Sequence, residues 1–250
     1  MFDYSARPEL LKDRVILVTG AGRGIGAAAA KSYAAHGATV LLLGKTEANL
    51  TQVYDEIEAA GHPRRPPTTG RDSVQPGNRP APPVRRAGGD DRKRIRPSRR
   101  SAAQRLDHRP AHATGTALGR KLHAGHAGQR HAMFMLTSTL LPLLKLSQDA
   151  SVIFTSSSVG RKGRAYWGAY GVSKFATEGL MQTLADELDN VAPVRANSIN
   201  PGATRTSMRA QAYPGENPLN NPTPEEIMPV YLYLMGPDST GINGQAFNAQ

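Results

Sequence analysis

Short apolar runs alternate with longer helix-like segments at both ends of this chain, and the alternation stops in the middle. Residues 14–19 (RVILVT) are an apolar run entering Gly20, the pattern of a strand buried on both faces. The Ala-rich residues 24–36 predict a helix that Gly37 ends. A second buried strand follows at 39–43, and then a helix over 47–60 with Thr46 at its N-cap and Gly61 at its end. Strand–helix–strand–helix at this spacing is half of a doubly wound α/β fold. Order resumes at Ala132. Helices are predicted over 133–146, with Pro142 a kink site, over 168–188 and over 224–235. Strands are predicted over 151–155 and 194–199, and a short one over 245–248.

Between 64 and 131 neither period survives. The segment has no Phe, Tyr, Trp or Met, and its large aliphatics are Val74, Val84, Ile95, Leu106, Leu118 and Leu122. Pro stands at 66, 67, 76, 80, 82, 83, 97 and 110. Such a stretch cannot bury enough surface to offset chain entropy, so it is expected to be irregular or disordered. It also changes the meaning of the charge. The chain carries a net +11, but this segment alone holds 15 Arg, 2 Lys and 4 Asp, a net +13. The remainder is therefore close to neutral, and the excess is no property of the α/β portion. A basic nucleic-acid-binding insert is the alternative reading, with Arg92–Arg96 on phosphates. The segment lacks aromatics for stacking and replaces core strands, so nucleic acid is not the expected partner.

The remaining composition narrows the class. There is no Cys, which removes disulfides and thiolate metal sites, and the His residues show no ligand spacing, so no metal is expected. No run of 18 apolar residues occurs, so no membrane span is expected. Residues 1–8 have no apolar signal core, and the default location is cytoplasmic.

Two groups of residues carry candidate chemistry. TGAGRGIG places Gly20, Gly24 and Gly26 between a predicted strand and a predicted helix. Glycines there let the backbone turn tightly and approach a pyrophosphate, and the helix start offers free N–H groups. The second strand ends in Gly44 and Lys45 instead of a carboxylate for a ribose hydroxyl, and Arg23 lies within the loop. Two cations suit a 2′-phosphate, although Lys45 as a solvated charge is the simpler alternative. Farther along, Tyr170 and Lys174 stand four apart on one predicted helix and share a face. An ammonium beside a phenol lowers its pKa toward the range useful for proton transfer. Ser157 precedes Tyr170 by 13 residues in TSSSVG, and Asn200, Pro201 and Gly202 follow. Ser156 and Ser158 are alternatives to Ser157 that read better as turn or cap residues, and Ser173 reads as a packing or helix-surface residue.

This ordered set resembles the short-chain dehydrogenase/reductase family. SSSVGRKGRAYWGAY and SKFATEGLMQTLADEL look like its bacterial, YciK-like subgroup. The likeness covers 10–61 and 132–250. It implies a single Rossmann-like, doubly wound parallel-sheet domain over 1–250, interrupted by 64–131. It implies hydride transfer between NADP(H) and a carbonyl/alcohol pair. Ser157 would orient the carbonyl, Tyr170 would be the acid/base, and Lys174 would tune Tyr170 and hold ribose. Gly20, Arg23, Gly24, Ile25, Gly26 and Lys45 would bind the adenosine side of the cofactor. Pro201, Gly202, Thr204 and Thr206 would border its nicotinamide. By the same analogy the chain pairs as a homodimer or homotetramer through the helices at 133–146 and 168–188. A cofactor-binding sensor without turnover is the alternative function.

The family also places an Asn-Ala turn after a fourth strand and a catalytic Asn on the next helix. Both should fall within 64–131, where Asn78 is the one Asn and fits neither. Residues rich in Arg, Pro, Ala, Gly and His are what GC-rich DNA gives out of frame. RDSVQPG at 71–77 can be coded so that the neighbouring frame reads VIPFNL, a strand-like run. A compensating pair of indels around this segment is therefore the expected origin, with an inactive or poorly folded product as its consequence.

Overall fold

The computed structural model describes residues 1–61, 68–69 and 132–250. In the N-terminal part, β1 (Val15–Thr19) lies parallel to β2 (Thr39–Gly44), with Val15 opposite Thr39. Ile16 and Val18 of β1 are buried, while Val15 is exposed. The expected burial on both faces is therefore incomplete, with the exposed residues, Val15 and Thr19, at the two ends of the strand. Helix α1 (Gly24–Ala35) buries Ala27–Ala30, Tyr33 and Ala34. Its run of methyl side chains lets the helix sit close on the sheet, and Gly37 (φ +93°) ends it in the left-handed region. Helix α2 (Glu47–Ala59) buries Leu50, Val53 and Ile57, an apolar stripe at helical spacing. Thr46 occupies its N-cap, but its side chain makes no capping hydrogen bond.

One short element falls within the aberrant segment. β3 (Thr68–Thr69) pairs parallel to Leu43 and Gly44 of β2. Apart from these two residues, the expectation of disorder there lies outside the described residues, as do the missing fourth strand and the family's Asn.

The C-terminal part begins with α3, helical from 132 to 144. β4 (Ala150–Thr155), β5 (Val194–Asn200) and β6 (Ala246–Asn248) form a second parallel sheet with β5 in the centre. β5 is the most buried strand, as befits a centre strand covered on both faces. Helix α4 (Gly168–Leu188) has the predicted bounds and packs Met181, Leu184 and Leu188 with Phe154 and Val194. α5 is the single short helix Ser207–Ala212.

Helix α6 (Met228–Met235) is shorter than the predicted 224–235. Pro229 accounts for this. A proline has no N–H and clashes with the carbonyl four residues back, so it fits only in a first turn, and the helix starts at Met228. α6 then ties the two sheets together. Val230 and Leu234 share one core with Ile16, Val18, Leu42 and Ile199, and Ser151 Oγ donates to the Leu234 carbonyl at 2.7 Å. Asp149 adds a polar clasp between Arg14 and Arg195. The architecture is α/β and Rossmann-like, seen here as two three-stranded parallel sheets bridged by a shared core.

Candidate active site

Every implicated segment leaves the C-terminal end of a parallel strand, where α/β sheets place their ligand crevice. Gly20 follows β1, Lys45 follows β2, Ser156 and Ser157 follow β4, and Pro201 follows β5.

The glycine loop is shaped by backbone proximity. Gly20 and Gly24 take φ of +65° and +54°. A Cβ on Gly26 would lie 2.4 Å from the Gly20 carbonyl oxygen, so no other residue lets α1 start this close to β1. Space above Gly20 is open, with nothing within 4 Å of where its Cβ would stand. That open cradle at the start of a 12-residue helix fits a pyrophosphate. Ile25 leaves the cradle and packs on the core. Arg23 and Lys45 are exposed at its rim.

Tyr170 and Lys174 lie on the first two turns of α4. A hydrogen bond from Ser157 reaches the Tyr170 side chain, and burial pushes the phenol's pKa up against that bond. The Lys174 ammonium sits 5.7 Å from the Tyr170 ring centre and donates to the Thr155 carbonyl at 2.7 Å. Burial lowers its pKa to about 8, opposed by the negative charge of Glu178. The ammonium is turned to the end of β4, and desolvation controls both groups. Gly160 fixes the spacing between the Ser157 turn and α4, since a Cβ there would meet Lys174 backbone and Cβ atoms at 2.8 Å.

Glu178 is a buried anion that the sequence reading did not single out. It accepts from Ser198 Oγ at 2.7 Å and from Arg161 Nε at 3.0 Å. Arg161 in turn donates to Asn248 Oδ1 and the Phe247 carbonyl. The signal was present in the spacing: Tyr170, Lys174 and Glu178 recur every four residues on one face of α4. Ser173 is buried and donates to the Tyr170 carbonyl, so of its two expected places it takes the packed one and not the helix surface. Ser156 is buried, and among the described residues its hydroxyl has no partner.

The turn after β5 closes the crevice. Asn200 Oδ1 accepts from Gly202 N–H at 3.2 Å, and Thr204 Oγ1 donates to the Pro201 carbonyl at 3.1 Å. Thr206 caps α5 by accepting from Arg209 N–H. Its Cγ2 lies 3.4 Å from the position of a Cβ on Gly24, so the glycine loop and the Pro201–Thr206 turn adjoin. The structure thus brings together Ser157, Tyr170 and Lys174 in one group, and the glycine loop with Thr206 in another. Among the described residues there is no cluster of three His, Asp or Glu able to hold a metal.

A family model described as short chain dehydrogenase matches residues 14–67 and 129–217. The chain belongs to the short chain dehydrogenase family. The two matched stretches stop and resume within a few residues of the compositional break at 64–131. The chain is similar to the uncharacterized oxidoreductase YciK of Escherichia coli, with 45% identity over 248 residues, covering 99% of this chain and 96% of that protein. Among solved structures, a short chain dehydrogenase from Pseudomonas syringae is 55% identical and covers both chains fully, with a TM-score of 0.74. One from E. coli CFT073, complexed with NADPH, is 41% identical with a TM-score of 0.74, covering 98% of this chain and all of that one. This chain is an oxidoreductase of that family. No described helix is long and apolar enough to cross a membrane.

Proposed function

We propose that this chain catalyses reversible hydride transfer between NADP(H) and a small carbonyl/alcohol pair. The observation that carries the reading is the Ser157–Tyr170–Lys174 group at the mouth of β4, in a chain whose glycine loop fits a pyrophosphate. The similar E. coli chain solved with NADPH supports the cofactor. When bound, NADP(H) supplies or accepts the hydride. Tyr170 gives its proton to the carbonyl oxygen, or takes it from the alcohol. Ser157 holds that oxygen with its one hydroxyl proton, the donor that reaches the Tyr170 side chain before substrate binds. Lys174, anchored on the Thr155 carbonyl, holds a positive charge beside the ring and is placed to bind ribose. Gly20, Gly24 and Gly26 shape the pyrophosphate cradle, with the Ile25 side chain packed on the core beneath it, Arg23 and Lys45 favour a 2′-phosphate, and Pro201, Gly202, Thr204 and Thr206 border the nicotinamide.

The test is NADPH oxidation against a carbonyl panel, with NADH alongside. KM for NADPH well below that for NADH supports the assignment, and equal values reject the 2′-phosphate reading. One observation favours a second reading, a cofactor binder without turnover. The family match skips 68–128, and the resemblance places a catalytic Asn within 64–131, on the helix after a fourth strand. Tight NADPH binding with no oxidation of any carbonyl would select it.

A further inference from the structure

Arg161 stands apart from the reacting group, yet its donors run in three directions. Nε donates to the buried Glu178 carboxylate of α4 at 3.0 Å, Nη1 to Asn248 Oδ1 at 2.9 Å, and Nη2 to the Phe247 carbonyl at 2.8 Å. Glu178 is held from its other side by Ser198 Oγ at 2.7 Å. The planar guanidinium therefore takes its orientation from α4 and presents a fixed donor to the end of β6.

Beyond it lies a relay of side-chain amides with one consistent polarity. Arg161 has no acceptor, so Asn248 turns its oxygen toward it. The same oxygen accepts from Asn200 Nδ2 at 3.2 Å. That leaves Asn200 Oδ1 for the Gly202 N–H, also at 3.2 Å. Gly202 holds φ +71°, so this bond closes a turn that suits glycine. Without the guanidinium donor, the Asn248 amide is free to flip. Asn200 then loses the acceptor for its Nδ2, and a flipped Asn200 would set its NH2 against the Gly202 N–H. The turn is also seated on the end of β6 by the Ala249 N–H on the Asn200 carbonyl at 3.0 Å and by Gln250 Nε2 on the Pro201 carbonyl at 2.6 Å. Those bonds hold carbonyls, whereas the relay sets the Gly202 N–H.

We propose that Arg161 is a positioning residue for the cofactor, fixing through Asn248 and Asn200 the direction of the Gly202 N–H and with it the turn that borders the nicotinamide. The proposal rests on the cofactor reading above for what occupies that turn, and on the hydrogen bonds alone for the relay.

The experiment measures Kd by isothermal titration on the full chain, for NADPH and for 2′-phosphoadenosine diphosphoribose, the same nucleotide without its nicotinamide. Arg161→Lys keeps a cation for Glu178 but replaces a three-nitrogen fork by a single ammonium, which cannot serve Glu178, Asn248 and Phe247 together. Asn248→Leu breaks the relay without touching the buried ion pair. Each should weaken NADPH binding about fivefold, the effect of one net hydrogen bond, and leave the nicotinamide-free nucleotide within about twofold of wild type. Asn248→Asp presents acceptors only, so adding it to Arg161→Lys should restore NADPH affinity. A merely structural role for Arg161 predicts no such rescue. Equal weakening of both nucleotides, an unchanged NADPH affinity, or no rescue by Asn248→Asp overturns the proposal. A wild-type chain that binds neither nucleotide sinks the cofactor reading, and the relay's role with it. NADPH binding that follows the relay without oxidation by any carbonyl would sink hydride transfer and leave the relay in place.

Discussion

Replacing Lys174 by Met should make the protein more stable and catalytically poor. The ammonium is driven from an ordinary 10.5 to about 8 by burial, a penalty of about 3 kcal/mol on the charged form. Losing the bond to the Thr155 carbonyl gives back about 1 kcal/mol, and that residue is exposed enough for water to replace the donor. Glu178 keeps Arg161 and Ser198, so no buried charge is orphaned. The net gain at pH 7 is about 2 kcal/mol. The sign with pH follows from linkage: between pH 8 and 10.5 the unfolded chain binds the proton that the folded chain has lost, so wild-type stability rises there. The variant lacks that rise, and its advantage should shrink across the same window. Urea titrations of both proteins at pH 7, 9 and 10.5 measure the difference. A Lys174→Met protein less stable than wild type at pH 7, or with an advantage independent of pH, would refute the reasoning.

Other consequences are equally concrete. Gly26→Ala puts a methyl 2.4 Å from the Gly20 carbonyl, so NADPH affinity by fluorescence titration should fall more than tenfold, in step with a distorted loop. Asp149→Asn leaves the Arg195 guanidinium without its carboxylate and should cost about 3 kcal/mol in urea unfolding. Burial alone would raise the Asp149 pKa, but Arg14 and Arg195 outweigh it and hold it below the ordinary range, so this stabilisation should vanish as pH falls through acid. Light scattering should report a dimer or tetramer, broken by Phe175→Glu, because Val172, Phe175, Phe134 and Met135 stand exposed on α4 and α3. Intact mass together with the gene sequence across codons 60–135 tests the shifted-frame origin of 64–131, and in-frame coding of the Arg-rich stretch would remove it.

Much of this was legible along the chain because the period of apolar residues is set by backbone geometry. The helix at 168–188 was readable to the residue, since Met181, Leu184 and Leu188 repeat on one face and Gly168 stands at its start. The glycine loop was legible because positions with φ > 0 and close backbone approach admit little else. The shortened α6 shows where pattern fails. Its apolar residues continue the period, but Pro229 forbids a hydrogen bond inside that run. The Glu178–Arg161–Asn248 chain was hidden for another reason. It joins α4, the Ser157 turn and β6, and contacts between residues so far apart depend on the packing of the whole sheet. The direction of the Lys174 ammonium was equally out of reach, because spacing fixes which face a side chain shares and not which carbonyl it meets.

The claim on which the account turns is proton transfer by the Tyr170 hydroxyl. The most direct measurement is NADPH oxidation at saturating carbonyl by wild type and Tyr170→Phe, with NADPH affinity determined for both. The account predicts equal affinities and a kcat at least about a hundredfold lower in the variant. A Tyr170→Phe protein that turns over at the wild-type rate would contradict it.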